Sequence, residues 1–369
     1  MPAKKLSFFI LFFACVSRLS AQNSDTLFKP ANVLSTMERV ADWQLNSWQT
    51  KSIHPKYDWT NATGYAGILE LGKISKNNIY LNYLITVGND LHWQTGPRRY
   101  MADDYCIGQT YANLYLIYKD PKMIAGFKAQ ADSIISKPHT EPLEWKNNIN
   151  EREWAWCDAM FMGPTSLSYL STATGDQKYL DTAAALWWKT YNYLYDTTEH
   201  LYFRDGSYFS KKEQNGQRVF WSRGNGWVIA GLVRVIDNMP ANYPGRKKFI
   251  RLYKDMAARI ATLQQPDGAW HASLLDPASY PVKEASGTGF YTYALLWGLN
   301  NHLLDKKTYW PVVEKAWVAL NSCVQPDGML GYVQKIGAAP DKVSQTSTEV
   351  YGVGAFLLAG SQLYKYLNH

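Results

Sequence analysis

The chain has 369 residues, with 38 Lys and Arg against 31 Asp and Glu, a formal charge of +7, and is rich in aromatics (15 Trp, 26 Tyr, 13 Phe). The positive balance is mild and forms no Lys/Arg block, which argues against a nucleic-acid partner. Four cysteines without a CxxC pair and seven histidines without HxxH or HxxxH spacing argue against a disulfide framework, a structural zinc site or a transition-metal site. No cofactor and no obligate protein partner are expected.

Residues 1–21 read as a targeting segment. Lys4 and Lys5 precede the apolar run Leu6 to Val16, and Ser20-Ala21-Gln22 offers a small-residue cleavage point after Ala21. A lipoprotein-like alternative would use Cys15 after Phe12-Phe13-Ala14, but the apolar core before that Cys is very short. Cleavage removes three cations and no acid, so the charge falls from +7 to +4, and it leaves Cys106, Cys157 and Cys323. No other stretch approaches the roughly 20 apolar residues of a membrane span. The expectation is a soluble, exported single domain over 22–369, because no Pro/Ser/Gly-rich linker divides it.

Helical patterns dominate that domain. Leu34 to Trp43, Tyr179 to Tyr195, Phe249 to Leu263 and Trp310 to Leu320 repeat apolar residues at i, i+3, i+4. Strand-like runs are short, as at Leu201-Tyr202-Phe203 and Gly331-Tyr332-Val333. Short polar turns (Lys119-Asp120-Pro121, Thr174-Gly175-Asp176, Tyr243-Pro244-Gly245, Leu304-Asp305-Lys306) alternate with long loops that end in Gly-containing helix starts. Gly163, Gly226, Gly289 and Gly352 stand 63 residues apart, and Gln265-Pro266-Asp267-Gly268 recurs 60 residues later at Gln325. A unit of about 60 residues makes six two-helix hairpins. The terminal units stay apolar and aromatic, where an open solenoid would need polar caps. The pattern therefore predicts a closed, all-α (α/α)6 barrel. One mouth would gather Trp59 to Gly64, Asp103 to Gln109, Asp158, Ser222 to Trp227, Ser286 to Gly289 and Thr346 to Tyr351.

At that mouth the chemistry centres on Glu151 to Gly163, where Asp158 sits between Trp154-Ala155-Trp156 and Ala159-Met160-Phe161-Met162. A carboxylate there is either a helix cap or a group whose burial perturbs it for function. Asp103-Asp104 is either a cap or half of a carboxylate pair with Asp158, and adjacent residues point apart, so only one can face it. In Trp221-Ser222-Arg223-Gly224-Asn225-Gly226-Trp227, glycines would let backbone N–H groups approach a ligand. There Arg223 could grip a carboxylate; the alternative is a structural glycine turn. Arg204-Asp205 is an ion pair or a ligand contact, and Ser286 and Thr288 are caps or carboxylate binders. His139 and His271 fall in long loops. No GxSxG elbow, Walker loop or papain-like Cys context is present.

Trp-Cys-Asp-Ala-x-Phe-Met-x-Pro at 156–164, Trp-Ser-Arg-Gly-Asn-Gly-Trp at 221–227 and Ser-Gly-Thr at 286–288 resemble glycoside hydrolase family 105. These are unsaturated rhamnogalacturonyl and related uronyl hydrolases built on an (α/α)6 barrel. The resemblance implies a substrate oligosaccharide ending in a 4,5-unsaturated uronic acid, the product of a lyase, and hydration of its C4=C5 bond followed by release of the sugar. It assigns Asp158 as the general acid/base and Asp103 as the second carboxylate, with Asp104 in reserve. Trp156, Met162, Trp221, Arg223 and Trp227 match substrate-site positions, and Asn225, Ser286 and Thr288 fall in the same motifs. Arg204 stands where several members have His, which leaves room for a glucuronyl substrate, for instance from ulvan or arabinogalactan side chains. Two other expectations remain: an inverting glycosidase using Asp103 and Asp158 as a base–acid pair, and a non-catalytic periplasmic sugar-binding protein.

Overall fold

The computed structural model describes residues 26–51, 53–145 and 153–368. The targeting segment, its Cys15, and Glu151-Arg152 lie outside the described residues.

Twelve α-helices alternate between two rings among those residues. The outer ring is α1 (Pro30–Lys51), α3 (Ile79–Asp90), α5 (Lys122–Ile135), α7 (Gln177–Leu194), α9 (Arg246–Thr262) and α11 (Lys306–Asn321). The inner ring is α2 (Trp59–Ile74), α4 (Gly108–Tyr118), α6 (Ala159–Thr174), α8 (Ser222–Asp237), α10 (Ala285–Asn300) and α12 (Val350–Leu367). Each inner helix packs on the next, and α12 returns to pack on α2 and α1, closing the ring. Comparison of the two rings explains the sequence pattern. Outer α9 buries Phe249, Leu252, Tyr253, Met256, Ala257 and Ile260, one stripe at helical spacing. Inner α10 is buried from Ala285 to Leu299, because it is covered on all sides.

Local chemistry sets the helix ends. Asp58 caps α2 by accepting from Thr60 N at 2.9 Å, Asp176 caps α7 through Lys178 N at 3.1 Å, and Asp305 caps α11 through Thr308 N at 2.8 Å. Helix α6 ends at Gly175 in the left-handed conformation (φ 73°). It also carries Pro164, which has no N–H to offer the carbonyl of Met160; the Thr165 hydroxyl donates to that carbonyl instead, at 3.0 Å. At the closing seam a Cβ on Gly67 would stand 2.7 Å from the Gly354 carbonyl oxygen. Glycines on both helices let α2 and α12 backbones meet there.

Of the strand-like runs, Leu201–Tyr202 is a strand, paired antiparallel with Tyr195–Asp196; a second small pair joins Trp270–His271 to Lys283–Glu284. Gly331-Tyr332-Val333 is not a strand. Tyr332 is in the left-handed conformation (φ 59°), which interrupts the extended backbone, and the segment bonds to separate loop groups: Tyr332 N donates to Ser344 O at 3.1 Å and Val333 N to Ser347 O at 3.0 Å. Among the described residues no helix is long and apolar enough to cross a membrane.

Candidate active site

The inner helices all begin at one mouth, and the loops entering them wall a cleft of about 200 Å³ lined by Trp59, Asp103, Trp156, Asp158, Met162, Arg204, Trp221, Ile336 and Gly337. Asp158 occupies the N-cap position of α6 but makes no side-chain capping bond. Its Oδ2 accepts from the Cys157 thiol at 3.3 Å and lies 4.0 Å from Arg204 Nε. Burial pushes this carboxyl up, and Arg204 opposes the rise. The cap alternative fails on geometry: the carboxylate faces the cleft.

A short antiparallel bridge brings Arg204 to it. Trp156 pairs with Asp205, and Cys157 N donates to Arg204 O at 2.8 Å, so the residues following each strand end lie side by side. Arg204 Nη1 donates to buried Asp205 at 2.6 Å, and its guanidinium lies 4.6 Å from the centre of the Trp145 ring. Its Nε is buried without a hydrogen-bond partner among the described residues. Arg204-Asp205 is thus both an ion pair and a wall of the cleft. Beneath, Glu153 fastens the segment: it is fully buried, accepts from Lys137 at 2.9 Å and from Lys189.

The two adjacent acids of the short 3₁₀ turn Ala102–Tyr105 diverge as side-chain direction requires. Asp103 enters the cleft, and burial, followed by repulsion from Asp158, pushes its carboxyl from 3.8 up to about 7. Asp104 turns away. It is 2 % exposed and accepts from Arg98 N at 2.6 Å and Arg98 Nη2 at 2.5 Å, so it pins the loop instead of serving as a reserve ligand group.

Across the cleft the geometry corrects several expected contacts. Arg223 is 1 % exposed, and its terminal nitrogens are taken by backbone: Nη1 donates to Gln334 O and Nη2 to Lys335 O, both at 3.0 Å, which leaves Nε buried without a hydrogen-bond partner among the described residues. It lies between the rings of Trp221 and Tyr351. Asn225 is fully buried, accepting from Tyr202 N at 2.7 Å and donating to Tyr202 O at 3.0 Å. Ser286 donates to Glu284 at 2.6 Å, and the Thr288 hydroxyl accepts from Trp270 N at 3.0 Å. Glu284 caps α10 through Ser286 N and Gly287 N and also accepts from Gln334 N at 3.1 Å. Trp227 is buried behind the cleft, 4.4 Å from Phe290 and 5.9 Å from Trp59 between ring centres. Trp156, Met162 and Trp221 do line the cleft.

Sequence reasoning placed Trp59 at the mouth without giving it a site role, and it missed two other cleft residues. Trp59 opens the first inner helix and stacks on Tyr351 at 5.4 Å; its place at a helix start was the available signal. Ile336 and Gly337 sit in a loop with no motif. That loop is held by Gln334, which accepts from Trp221 Nε1 at 2.9 Å. His271 bonds to Asp267 at 3.2 Å and His139 to Ile134 O at 3.1 Å, both away from the cleft lining.

Comparison with known proteins agrees with this arrangement. Residues 36–367 match the family described as Glycosyl Hydrolase Family 88. A protein of Formosa agariphila named as an unsaturated 3S-rhamnoglycuronyl hydrolase is 38% identical, covering 91% of this chain and 91% of its own. A solved structure named as a polysaccharide lyase is 32% identical with a TM-score of 0.83, covering 92% of this chain and 98% of its own. A Salmonella enterica structure named as a possible member of the 105 family is 17% identical, with a TM-score of 0.76 over 92% of this chain and 95% of its own. That last likeness shows the shared barrel.

Proposed function

The chain belongs to Glycosyl Hydrolase Family 88, and from that membership we propose that it removes a terminal 4,5-unsaturated uronic acid from lyase-generated oligosaccharides. The observation that carries this is the pair of carboxyls in one cleft, Asp103 and Asp158, both pushed toward the protonated acid by burial. A vinyl ether is hydrated by first receiving a proton, so a neutral acid at working pH is what the reaction needs.

Asp158 gives its proton to C4 of the double bond, and positive charge develops at C5, where the ring oxygen stabilises it. Water adds at C5 and returns a proton to the Asp158 carboxylate. The resulting hemiketal opens at the bond between C5 and the ring oxygen, giving a C5 ketone and a hemiacetal at C1, which expels the next sugar with its hydroxyl restored. One group performs both proton transfers, unlike the two-carboxylate division of ordinary glycosidases. Asp103 is the second carboxyl of the cleft, and burial together with repulsion from Asp158 holds it toward its acid form. Arg204, whose Nε has no partner among the described residues, supplies the cation for the uronate carboxylate, and Trp156 and Trp221 supply apolar walls.

The relative named as a lyase suggests the reverse chemistry, creation of the double bond. That step begins with removal of the C5 proton by a base, and two carboxyls held toward their acid forms favour proton donation instead. The Formosa agariphila relative's name makes a rhamnose-linked unsaturated uronate the first substrate to try. Loss of the enoate's ultraviolet absorbance on adding enzyme tests the function; absorbance that persists with every lyase product would overturn it. Export to the periplasm belongs to the same proposal, supported by the charged and apolar pattern of residues 1–21, and cell fractionation checks it.

A further inference from the structure

A second cavity, of about 150 Å³, opens at the same mouth between the C-terminal part of α1 and the starts of α2 and α12. Trp43, Gln44 and Trp48 wall it from α1, and Thr348 and Glu349 wall it from the loop entering α12. Three of its polar side chains keep hydrogen-bonding capacity unused among the described residues. Gln44 is 2 % exposed, and its amide makes no hydrogen bond among the described residues. The Thr348 hydroxyl is buried without a partner. Glu349 holds the N-cap position of α12 yet makes no capping bond. Buried polar groups are nearly always paired, and leaving one unpaired costs about 1–3 kcal/mol. Several together, facing one cavity, mark a place where a ligand completes the hydrogen bonds.

The chemistry of that ligand follows from the set. An amide, a hydroxyl and a carboxyl beside the Trp43 ring offer both donors and acceptors next to an apolar face, which suits a hydroxyl-bearing ring. A metal cation fits poorly, because His54, Arg223 and Lys335 already act on the Glu349 carboxyl with positive charge. The cavity also lies next to the catalytic cleft, sharing no lining residue with it but bordered by residues close in sequence. Trp59 lines the cleft and Asn61, two residues on, lines the second cavity. Val350 lines it too, and Tyr351, the next residue, stacks on Trp59.

We propose that this cavity is a second saccharide subsite, holding a neutral ring of the same oligosaccharide further along from the unsaturated residue. It rests on the hydrolase function proposed above. The test compares Gln44→Leu and Glu349→Gln with wild type on an unsaturated disaccharide and an unsaturated tetrasaccharide from one lyase digest. Wild type is expected to prefer the tetrasaccharide in kcat/KM, and each variant to lose about tenfold of that preference, the loss of one or two hydrogen bonds. A wild type without the preference, or folded variants that retain it, would overturn the subsite. Glu349→Gln keeps the shape of its side chain and carries the test if Gln44→Leu fails to fold.

Failure of the hydrolase function shows separately, as a wild type that consumes neither compound. Tetrasaccharide binding to Asp158→Asn is then followed by tryptophan fluorescence, since Trp43 and Trp48 line the cavity. A saturable change that disappears on adding Gln44→Leu supports the subsite. No change, or one that survives, overturns it.

Discussion

The two sides of the barrel mouth carry equally distinctive motifs and use them in opposite ways. On one side Asp103, Asp158 and Arg204 face a cleft with hydrogen-bonding capacity left over: Asp158 makes no cap, and Arg204 Nε, 4.0 Å from Asp158, makes no hydrogen bond among the described residues. On the other, the two terminal nitrogens of Arg223, with Asn225, Glu284, Ser286 and Gln334, are joined to one another or to backbone, and Arg223 Nε alone of that guanidinium is buried without a hydrogen-bond partner among the described residues. Both sides would look like a binding site in a motif search. What separates them is access: Asp103, Asp158 and Arg204 line the cleft and the second group does not, and most of that second group is already paired, so it has little to offer a ligand without breaking a bond. The first side should therefore govern rate, and the second should govern stability and only through it the rate.

The largest effect is expected at Asp158. Asp158→Asn removes the only acid/base in the mechanism and should lower kcat by about a thousandfold or more, read as the rate of enoate absorbance loss. Stability should hold or rise, because a carboxyl that burial pushes up disfavours the folded state once ionised. Asp158→Asn retaining turnover would merge the two sides and remove the mechanism.

Next comes the scaffold side. Glu284 accepts four hydrogen bonds, from Ser286 N, Ser286 Oγ, Gly287 N and Gln334 N, while fully buried. Glu284→Ala should cost about 3 kcal/mol, measured as a shift of the urea midpoint, with KM and kcat of the remaining folded enzyme changed together as the Gln334 loop relaxes. A stable variant that had lost activity would place Glu284 on the reactive side.

Asp103→Asn should cost about a hundredfold in rate while making the protein more stable at pH 8. The wild-type carboxyl has a folded value of about 7 against an ordinary 3.8. Its ionisation costs the folded state progressively as pH rises from about 4 to 7, and above 7 the full cost remains. Asparagine removes that cost, so the stability difference should grow across this window and then level off. Thermal melts at pH 4, 6 and 8 check it.

The architecture was legible because periodicity is a property of many residues at once. Six hairpins followed from the spacing of turns and glycines, and closure followed from apolar terminal units, which here are α1 packed on α12. The site was legible only by residue type. The sequence shows that Asp103 and Asp104 must point apart, but not which one meets the cleft; that was decided by Arg98, which binds Asp104 through its backbone and its side chain. The glycine-rich turn invited an anion-gripping role for Arg223, yet its partners are carbonyls more than a hundred residues away, a contact no local pattern encodes. The strand character of Gly331-Tyr332-Val333 gave no strand, because Tyr332 takes a left-handed φ of 59° and the segment's partners lie on loops.

Arg204 tests the boundary between the two sides, since it belongs to both: one nitrogen is tied to Asp205 and another lies 4.0 Å from Asp158. Its positive charge lowers the proton affinity of Asp158, against the effect of burial. Arg204→Gln removes that charge, so Asp158 should hold its proton to higher pH, and the alkaline limb of the pH–rate profile should move upward. The same change removes the cation offered to the substrate carboxylate, so KM should rise about tenfold, comparable to losing one charge-assisted hydrogen bond. Asp205→Asn leaves the charge in place but loosens its tether. It should raise KM less and leave the alkaline limb closer to wild type. If both variants instead lose stability with an unshifted limb, Arg204 is scaffold, and the reactive side of the mouth contracts to the two carboxyls.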